Sequence, residues 1–93
     1  MPQNLTVIHN QAAQRFEIES EGHLAVLDYR LNGKAILFLH TGVPSALEGR
    51  GLGSQLAKAG LEYARTNQLR VQSLCSFVDG YIQRHPEYQD LHT

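Results

Sequence analysis

The stretch Val43-Pro44-Ser45-Ala46-Leu47-Glu48-Gly49-Arg50-Gly51-Leu52-Gly53-Ser54 decides the fold, because it joins two halves with different periodicities. The residues before it alternate between polar and apolar, as strands do, and the apolar residues after it recur at helical spacing. Its three alternating glycines allow the backbone to curl so that several N–H groups point to one place. The first turn of a following helix adds unpaired donors and a partial positive charge. The stretch therefore predicts an anion-binding turn suited to a phosphate or pyrophosphate, with generic loop flexibility as the alternative.

The N-terminal half is predicted to form four antiparallel strands. One of these segments is rich in β-branched residues, two alternate with a period of two, and the fourth contains the apolar run from Ala35 to Leu39 that a central strand needs. Asn32-Gly33 predicts a tight hairpin turn, since both residue types tolerate a positive φ. The predicted strands cover residues 5–9, 15–19, 23–31 and 34–41.

The C-terminal half is predicted to contain a helix, a strand and a short helix. The first helix begins at Gly51 and ends near Asn67, with a stripe formed by Leu52, Leu56, Ala59 and Tyr63. A strand over residues 69–74 then follows, and the strand-helix-strand order implies a right-handed crossover and a parallel pair. Ser76 is predicted to cap a last helix that runs through His85 and stops before Pro86. Residues 1–93 are therefore predicted to form one α+β domain.

Composition excludes several classes of protein. The chain has 93 residues with 42% hydrophobic content, which suits one small core, and a net charge of -1 argues against nucleic acid as a partner. With 18% charged residues and no apolar run longer than Ala35 to Leu39, neither a disordered chain nor a membrane span is expected. One cysteine allows no internal disulfide, and the scattered histidines indicate no metal site. The start resembles no signal peptide, so we expect a cytoplasmic protein that is a monomer or a weak homodimer.

Several short motifs occur together in a particular order along the chain. Jointly they resemble the small single-domain acetyltransferase-like branch of the GNAT superfamily. That resemblance implies a mixed, mostly antiparallel sheet of about five strands, one long helix, one short C-terminal helix and a splayed pair of parallel strands. Two positions depart from the usual pattern: Glu48 stands where Gln or Arg is usual, and Gly42 where an acidic residue is usual. The motifs are His40-Thr41-Gly42-Val43-Pro44, the glycine stretch, Leu56-Ala57-Lys58, Leu74-Cys75-Ser76 and residues 81–88.

The same resemblance implies an acetyl-coenzyme A-dependent N-acetyltransferase that acts on an amine of a small molecule or a protein, without a metal. In this superfamily the pyrophosphate of coenzyme A meets the glycine loop, and its pantetheine arm lies between the splayed strands. The residues then expected to bind acetyl-coenzyme A or coenzyme A are Thr41, Val43, Gly49, Arg50, Gly51, Leu52, Gly53 and Ser54.

Three side chains are candidates for chemistry, each with a structural alternative. Cys75 lies where a strand meets a helix N-terminus, a place where a thiolate is stabilised, although buried cysteines are often inert. By period-two counting, His40 shares a face with Phe38, and the neighbouring parallel strands are expected to bring it near Cys75. It is a candidate general base, although a histidine in an apolar strand is more often structural. The resemblance makes Tyr81 a candidate proton donor to the leaving thiolate, although an aromatic residue on a short helix usually packs.

Three functions therefore stay open at the level of sequence. The first is N-acetyl transfer, and the second is a non-catalytic module that binds coenzyme A or acyl-coenzyme A, or mediates an interaction. The third is a covalent acyl carrier that uses the Cys75 thiol.

Overall fold

The structure, a computed structural model, describes residues 6–92. Within that range one five-stranded sheet has the order β1-β2-β3-β4-β5, antiparallel except for the last pair, in which β4 and β5 run parallel. Two 3₁₀ segments, Ser45–Leu47 and Pro86–Leu91, accompany two α-helices. The elements are β1 (Ile8–Asn10), β2 (Arg15–Ser20), β3 (His23–Asn32), β4 (Ala35–Gly42), α1 (Leu52–Thr66), β5 (Arg70–Ser73) and α2 (Ser76–Arg84).

The predicted order of elements is confirmed, with changes at their ends. The first strand begins at Ile8, and position 5 of its predicted range lies outside the described residues. Asn32 pairs with Ala35, so the β3–β4 hairpin turns one residue later than expected. Only Gly33 of the predicted turn pair adopts a positive φ, 61°, which glycine tolerates without strain. The last helix stops before Pro86 as predicted, but Cys75 occupies its N-cap and Ser76 is already helical.

The core lies between one face of the sheet and the two helices. Ile18, Leu27, Ile36 and Phe38 are completely buried, and they face Leu56 and Leu61 of α1 together with Val78 of α2. The predicted stripe on α1 is partly wrong, because Ala59 and Tyr63 lie at the edge of the contact and are only half-buried.

Gly60 occupies the centre of the α1 contact instead. A Cβ added there would lie 2.8 Å from the Phe38 ring, so the missing side chain allows the helix to approach the sheet closely. Among the described residues, no helix is both long and apolar enough to cross a membrane.

Candidate functional site

The parallel strands β4 and β5 separate before β4 ends. Their pairing runs from Ala35 opposite Arg70 to Phe38 opposite Ser73. A last hydrogen bond, 2.9 Å long, joins the Leu74 N–H to the Phe38 carbonyl. Beyond it β4 continues to Gly42, whereas the other chain turns into α2. The predicted splayed pair is therefore present, and a gap opens beside the last four residues of β4.

Cys75 and Thr41 face each other across this gap. The Cys75 Sγ and Thr41 Oγ1 atoms are 3.2 Å apart, and the cysteine is buried, with 7% of its surface exposed. The Ser73 hydroxyl accepts a hydrogen bond from the Cys75 N–H and donates one to the Cys75 carbonyl. These bonds fix the backbone at the N-cap of α2, so the thiol lies at the positive end of that helix.

His40 does not lie where the period of two predicts. Phe38 is paired with Tyr29 and His40 with Asp28, so Leu39 is an extra residue that bulges out of β4. Opposed residues of antiparallel strands share a face, so His40 lies on the face of Asp28 and Phe38 on the face of Tyr29. Asp28 and Tyr29 are consecutive and therefore lie on opposite faces, so His40 points away from Phe38 and the helices. Its imidazole is exposed on the open face of the sheet. Within residues 6–92 it is Thr41, not His40, that contacts the Cys75 thiol.

Tyr81 packs within the C-terminal segment. Its ring stacks on His85 with centroids 3.8 Å apart and lies 6.2 Å from the ring of Tyr88. Burial raises the pKa of its phenol above the ordinary value, which makes the hydroxyl a weaker acid. The structure therefore does not bring the three candidates Cys75, His40 and Tyr81 together as one hydrogen-bonded group.

The glycine loop forms the other wall of the site. Gly49 and Gly51 adopt φ angles of 82° and 74°, in the left-handed region that favours glycine. Gly51 is the N-cap of α1, with no side-chain hydrogen bond to the first turn and no acidic residue in it. No side chain of the N-cap therefore occupies the first N–H groups of α1, and anion binding at this turn stays a prediction.

A cavity of about 280 Å³ opens at this loop. Six of its lining residues are among the eight predicted to bind coenzyme A, namely Val43, Gly49, Gly51, Leu52, Gly53 and Ser54. The lining also includes Leu47, Glu48 and Phe77, which sequence reasoning did not assign to donor binding. A Cβ on Gly53 would lie 2.8 Å from the Phe77 ring, so the third glycine is needed for packing against α2. In the sequence, the feature that could have pointed to Phe77 as a lining residue is its position directly after the Cys75-Ser76 motif.

Arg50 projects from the same loop toward the β2–β3 turn. Its Nη1 atom donates a 2.7 Å hydrogen bond to Glu21 Oε2, and both side chains are substantially exposed. The guanidinium lowers the pKa of the Glu21 carboxyl through this hydrogen bond and through its charge. A cation therefore stands next to the glycine loop, paired with the Glu21 carboxylate.

Comparisons with known proteins agree with this geometry. The family model described as GCN5-related N-acetyl-transferase matches residues 15–91. Protein NATD1 of mouse is 34% identical over 85 residues, which cover 88% of this chain and 77% of the mouse protein. Protein NATD1 of zebrafish, Danio rerio, is 33% identical over 89 residues, or 90% and 81% of the two chains. The NMR solution structure of a GCN5-like protein of Staphylococcus aureus superimposes with a TM-score of 0.76 and 34% identity, over 99% of this chain and 91% of that one.

Proposed function

The chain belongs to the GCN5-related N-acetyltransferase family, and on that premise we propose that it transfers the acetyl group of acetyl-coenzyme A to an amine. The observation that carries the proposal is the position of the glycine-loop cavity beside the gap between β4 and β5. The loop offers backbone donors to a diphosphate, and the gap offers a strand edge to an extended arm. A binding site for a long acylated carrier needs both features.

The residues at the loop fit a diphosphate. The N–H groups of Leu52, Gly53 and Ser54 lie in the first turn of α1, where no intrahelical acceptor reaches them. Arg50 adds a positive charge and would exchange Glu21 for a phosphate oxygen. Val43 supplies an apolar wall to the glycine-loop cavity, and Thr41, two residues earlier on β4, lies at the gap.

Acetyl-coenzyme A, when bound, supplies an activated thioester at the gap. Of the three candidate groups, the Cys75 thiol and its Thr41 partner are supported by their contact across the gap. His40 is supported as a general base only by the exposure of its imidazole near the end of β4. Tyr81 is the least supported of the three, because burial raises the pKa of its phenol and so makes it a weaker acid, and its ring partners lie in the C-terminal segment.

Calorimetry with acetyl-coenzyme A tests donor binding directly. We expect saturable binding in the micromolar to millimolar range, and absence of heat at millimolar ligand would remove the proposal. Thiol release over a panel of primary amines then tests transfer. His40→Ala and Cys75→Ala should lower turnover without loss of donor binding, and His23→Ala, which removes an exposed histidine elsewhere on the sheet, should leave both unchanged.

A binding module without catalysis is the second candidate. It is favoured by one observation, that His40 and Tyr81 do not converge on Cys75. Donor binding with no thiol release for any amine would select it. A covalent carrier is a further candidate, for which intact mass after incubation with acetyl-coenzyme A should show one added acetyl group, absent in Cys75→Ser. The cytoplasmic location and the monomer or weak homodimer stay predictions.

A further inference from the structure

A larger and more polar cavity, of about 510 Å³, lies at the outer edge of β5. On its inner side β5 pairs with β4. On its outer side, within residues 6–92, an isolated parallel bridge joins Val71 to His92. Strand β5, helix α2 and the C-terminal 3₁₀ segment therefore leave a recess between them. Its lining residues are Ser73, Asp79, Ile82, Gln83, Gln89 and His92.

The Asp79 carboxylate is incompletely satisfied in this recess. Its Oδ1 atom is shielded from solvent and has no hydrogen-bond partner. The imidazole Nε2 of His92 is 3.8 Å away, which is too long for a hydrogen bond. The Asp79 side chain as a whole is 42% exposed, so a ligand in the recess can reach the carboxylate. No lysine or arginine is among the residues that line the cavity, so the His92 imidazole is the one side chain of the lining that can carry a positive charge beside Asp79.

The recess adjoins the candidate reaction site. Ser73 lines it, and the same serine hydroxyl holds the N–H and the carbonyl of Cys75. Ser73 therefore links the recess to the backbone of Cys75, whose thiol faces the β4–β5 gap. The glycine-loop cavity shares no lining residue with this recess, so a donor at the loop leaves it free.

We propose that this recess binds the ammonium group of an alkylamine acceptor, with Asp79 as its ionic partner. The inference rests on the proposed function, since it names the substrate class of the same enzyme. An ammonium group brings three N–H donors, and the oxygens of the Asp79, Gln83 and Gln89 side chains are acceptors. Ile82 offers an apolar wall to methylene groups. A short diamine matches this set best, because one ammonium can stay at Asp79 while the other amine extends past Ser73.

Asp79 also has a possible structural role. It lies in the first turn of α2, where a negative charge interacts favourably with the helix dipole. That role acts on the stability of the helix and gives no preference for a cationic ligand. A test must therefore measure ligand binding rather than stability.

Amide chemical shifts followed during titration with 1,4-diaminobutane, at constant pH and ionic strength, test the proposal without any need for turnover. We expect saturable shifts at the amides that line the recess, and none with the neutral isostere 1,4-butanediol at equal concentration. Asp79→Asn should weaken diamine binding about tenfold or more, since an ionic hydrogen bond is lost. Glu87→Gln removes an equal charge from the adjacent 3₁₀ segment, outside the lining, and should not weaken it.

A second variant guards against a fold defect in Asp79→Asn. Gln83→Glu adds a carboxylate to the recess and should strengthen diamine binding severalfold. The inference is overturned if the diamine gives no saturable shifts, if its shifts lie elsewhere, or if Asp79→Asn and Glu87→Gln behave alike. Calorimetry with coenzyme A on the same samples separates the two proposals, because donor binding that persists while diamine binding fails rejects only this one.

Discussion

Arg50 has two candidate partners, the Glu21 carboxylate in the folded chain and a phosphate group of the proposed donor. Its partner Glu21 has a φ of 54° in the turn between β2 and β3, so the ion pair joins that turn to the glycine loop. Both side chains are substantially exposed, so solvent screens the ion pair and the link between the two loops is weak. A phosphate group would therefore compete with Glu21 for the guanidinium at small cost to the fold.

We expect Glu21→Gln to strengthen coenzyme A binding by about two- to fivefold, because Arg50 is then free and one repelling charge is gone. Arg50→Ala should weaken binding by a similar factor. Both effects should shrink at high salt, where exposed charges are screened. Calorimetry at low and high salt measures them.

The matched control for that prediction is Glu19→Gln. It removes an exposed carboxylate of β2, whereas Arg50 pairs with Glu21. Equal effects of Glu19→Gln and Glu21→Gln would show that net charge, and not the ion pair, governs donor binding.

The glycine loop could be predicted from the sequence because backbone freedom is a property of the residue itself. Gly49 and Gly51 adopt positive φ angles wherever the loop lies, and the helix after them follows from local periodicity. The position of His40 could not be predicted in this way. It depends on the extra residue Leu39, and a bulge is defined by the register against a neighbouring strand. Phe77 was missed because its contact with Gly53 joins two different helices.

At the level of elements, α1 contacts the sheet through a glycine. Ala57, Leu61 and Ala64 are buried on either side of it, and a Cβ at Gly60 would be 2.8 Å from the Phe38 ring and 3.2 Å from Leu27. Both neighbours are completely buried, so neither has space to withdraw. A helical glycine normally costs about 1 kcal/mol relative to alanine, and here that cost is offset by a close helix–sheet approach.

Gly60→Ala should therefore destabilise the protein by about 1–3 kcal/mol, because overpacking outweighs the gain in helix propensity. Gly80 in α2 is the matched control, since a Cβ there would meet only the end of the Arg84 side chain, at 3.3 Å. Gly80→Ala should stabilise by about 0.5–1 kcal/mol. Urea unfolding of both variants measures the difference, and a stabilised Gly60→Ala would show that α1 is not seated on Phe38.

The order of elements and the parallel pair of β4 and β5 could be predicted from periodicity and connectivity, but the residues at which the elements contact each other could not. The contact of α1 includes Gly60 rather than Ala59 and Tyr63 of the predicted stripe, because the shape of the sheet decides which stripe fits. The hairpin turn moved by one residue because the pairing of β3 with β4 selects it. Both differences depend on how two elements pack or pair with each other, so the sequence of one element alone does not determine them.

At the level of the whole molecule, the C-terminal segment is bound to α1 by two side chains. The Tyr88 hydroxyl donates a 2.5 Å hydrogen bond to Glu62, and Arg65 pairs with Asp90 at 2.9 Å. Tyr88 is buried, so this contact closes the core at the end opposite the glycine loop along α1. The segment also lines the recess at β5, so its attachment supports the proposed amine site.

Attachment through Tyr88 should make stability fall at alkaline pH. Burial, and then the hydrogen bond to the Glu62 carboxylate, raise the pKa of its phenol well above the ordinary value. Above about pH 10 the unfolded chain loses that proton while the folded chain keeps it, so the free energy of unfolding decreases as pH rises through this range. Tyr88→Phe does not titrate and should show a shallower decrease, and its free energy of unfolding at neutral pH should be lower by about 1 kcal/mol.

The control variant Glu62→Gln removes the carboxylate but leaves Tyr88 buried, so its slope should lie between those of the wild type and Tyr88→Phe. Urea unfolding between about pH 9 and pH 11 measures the three slopes, and equal slopes would mean that Tyr88 is not held in the core as described.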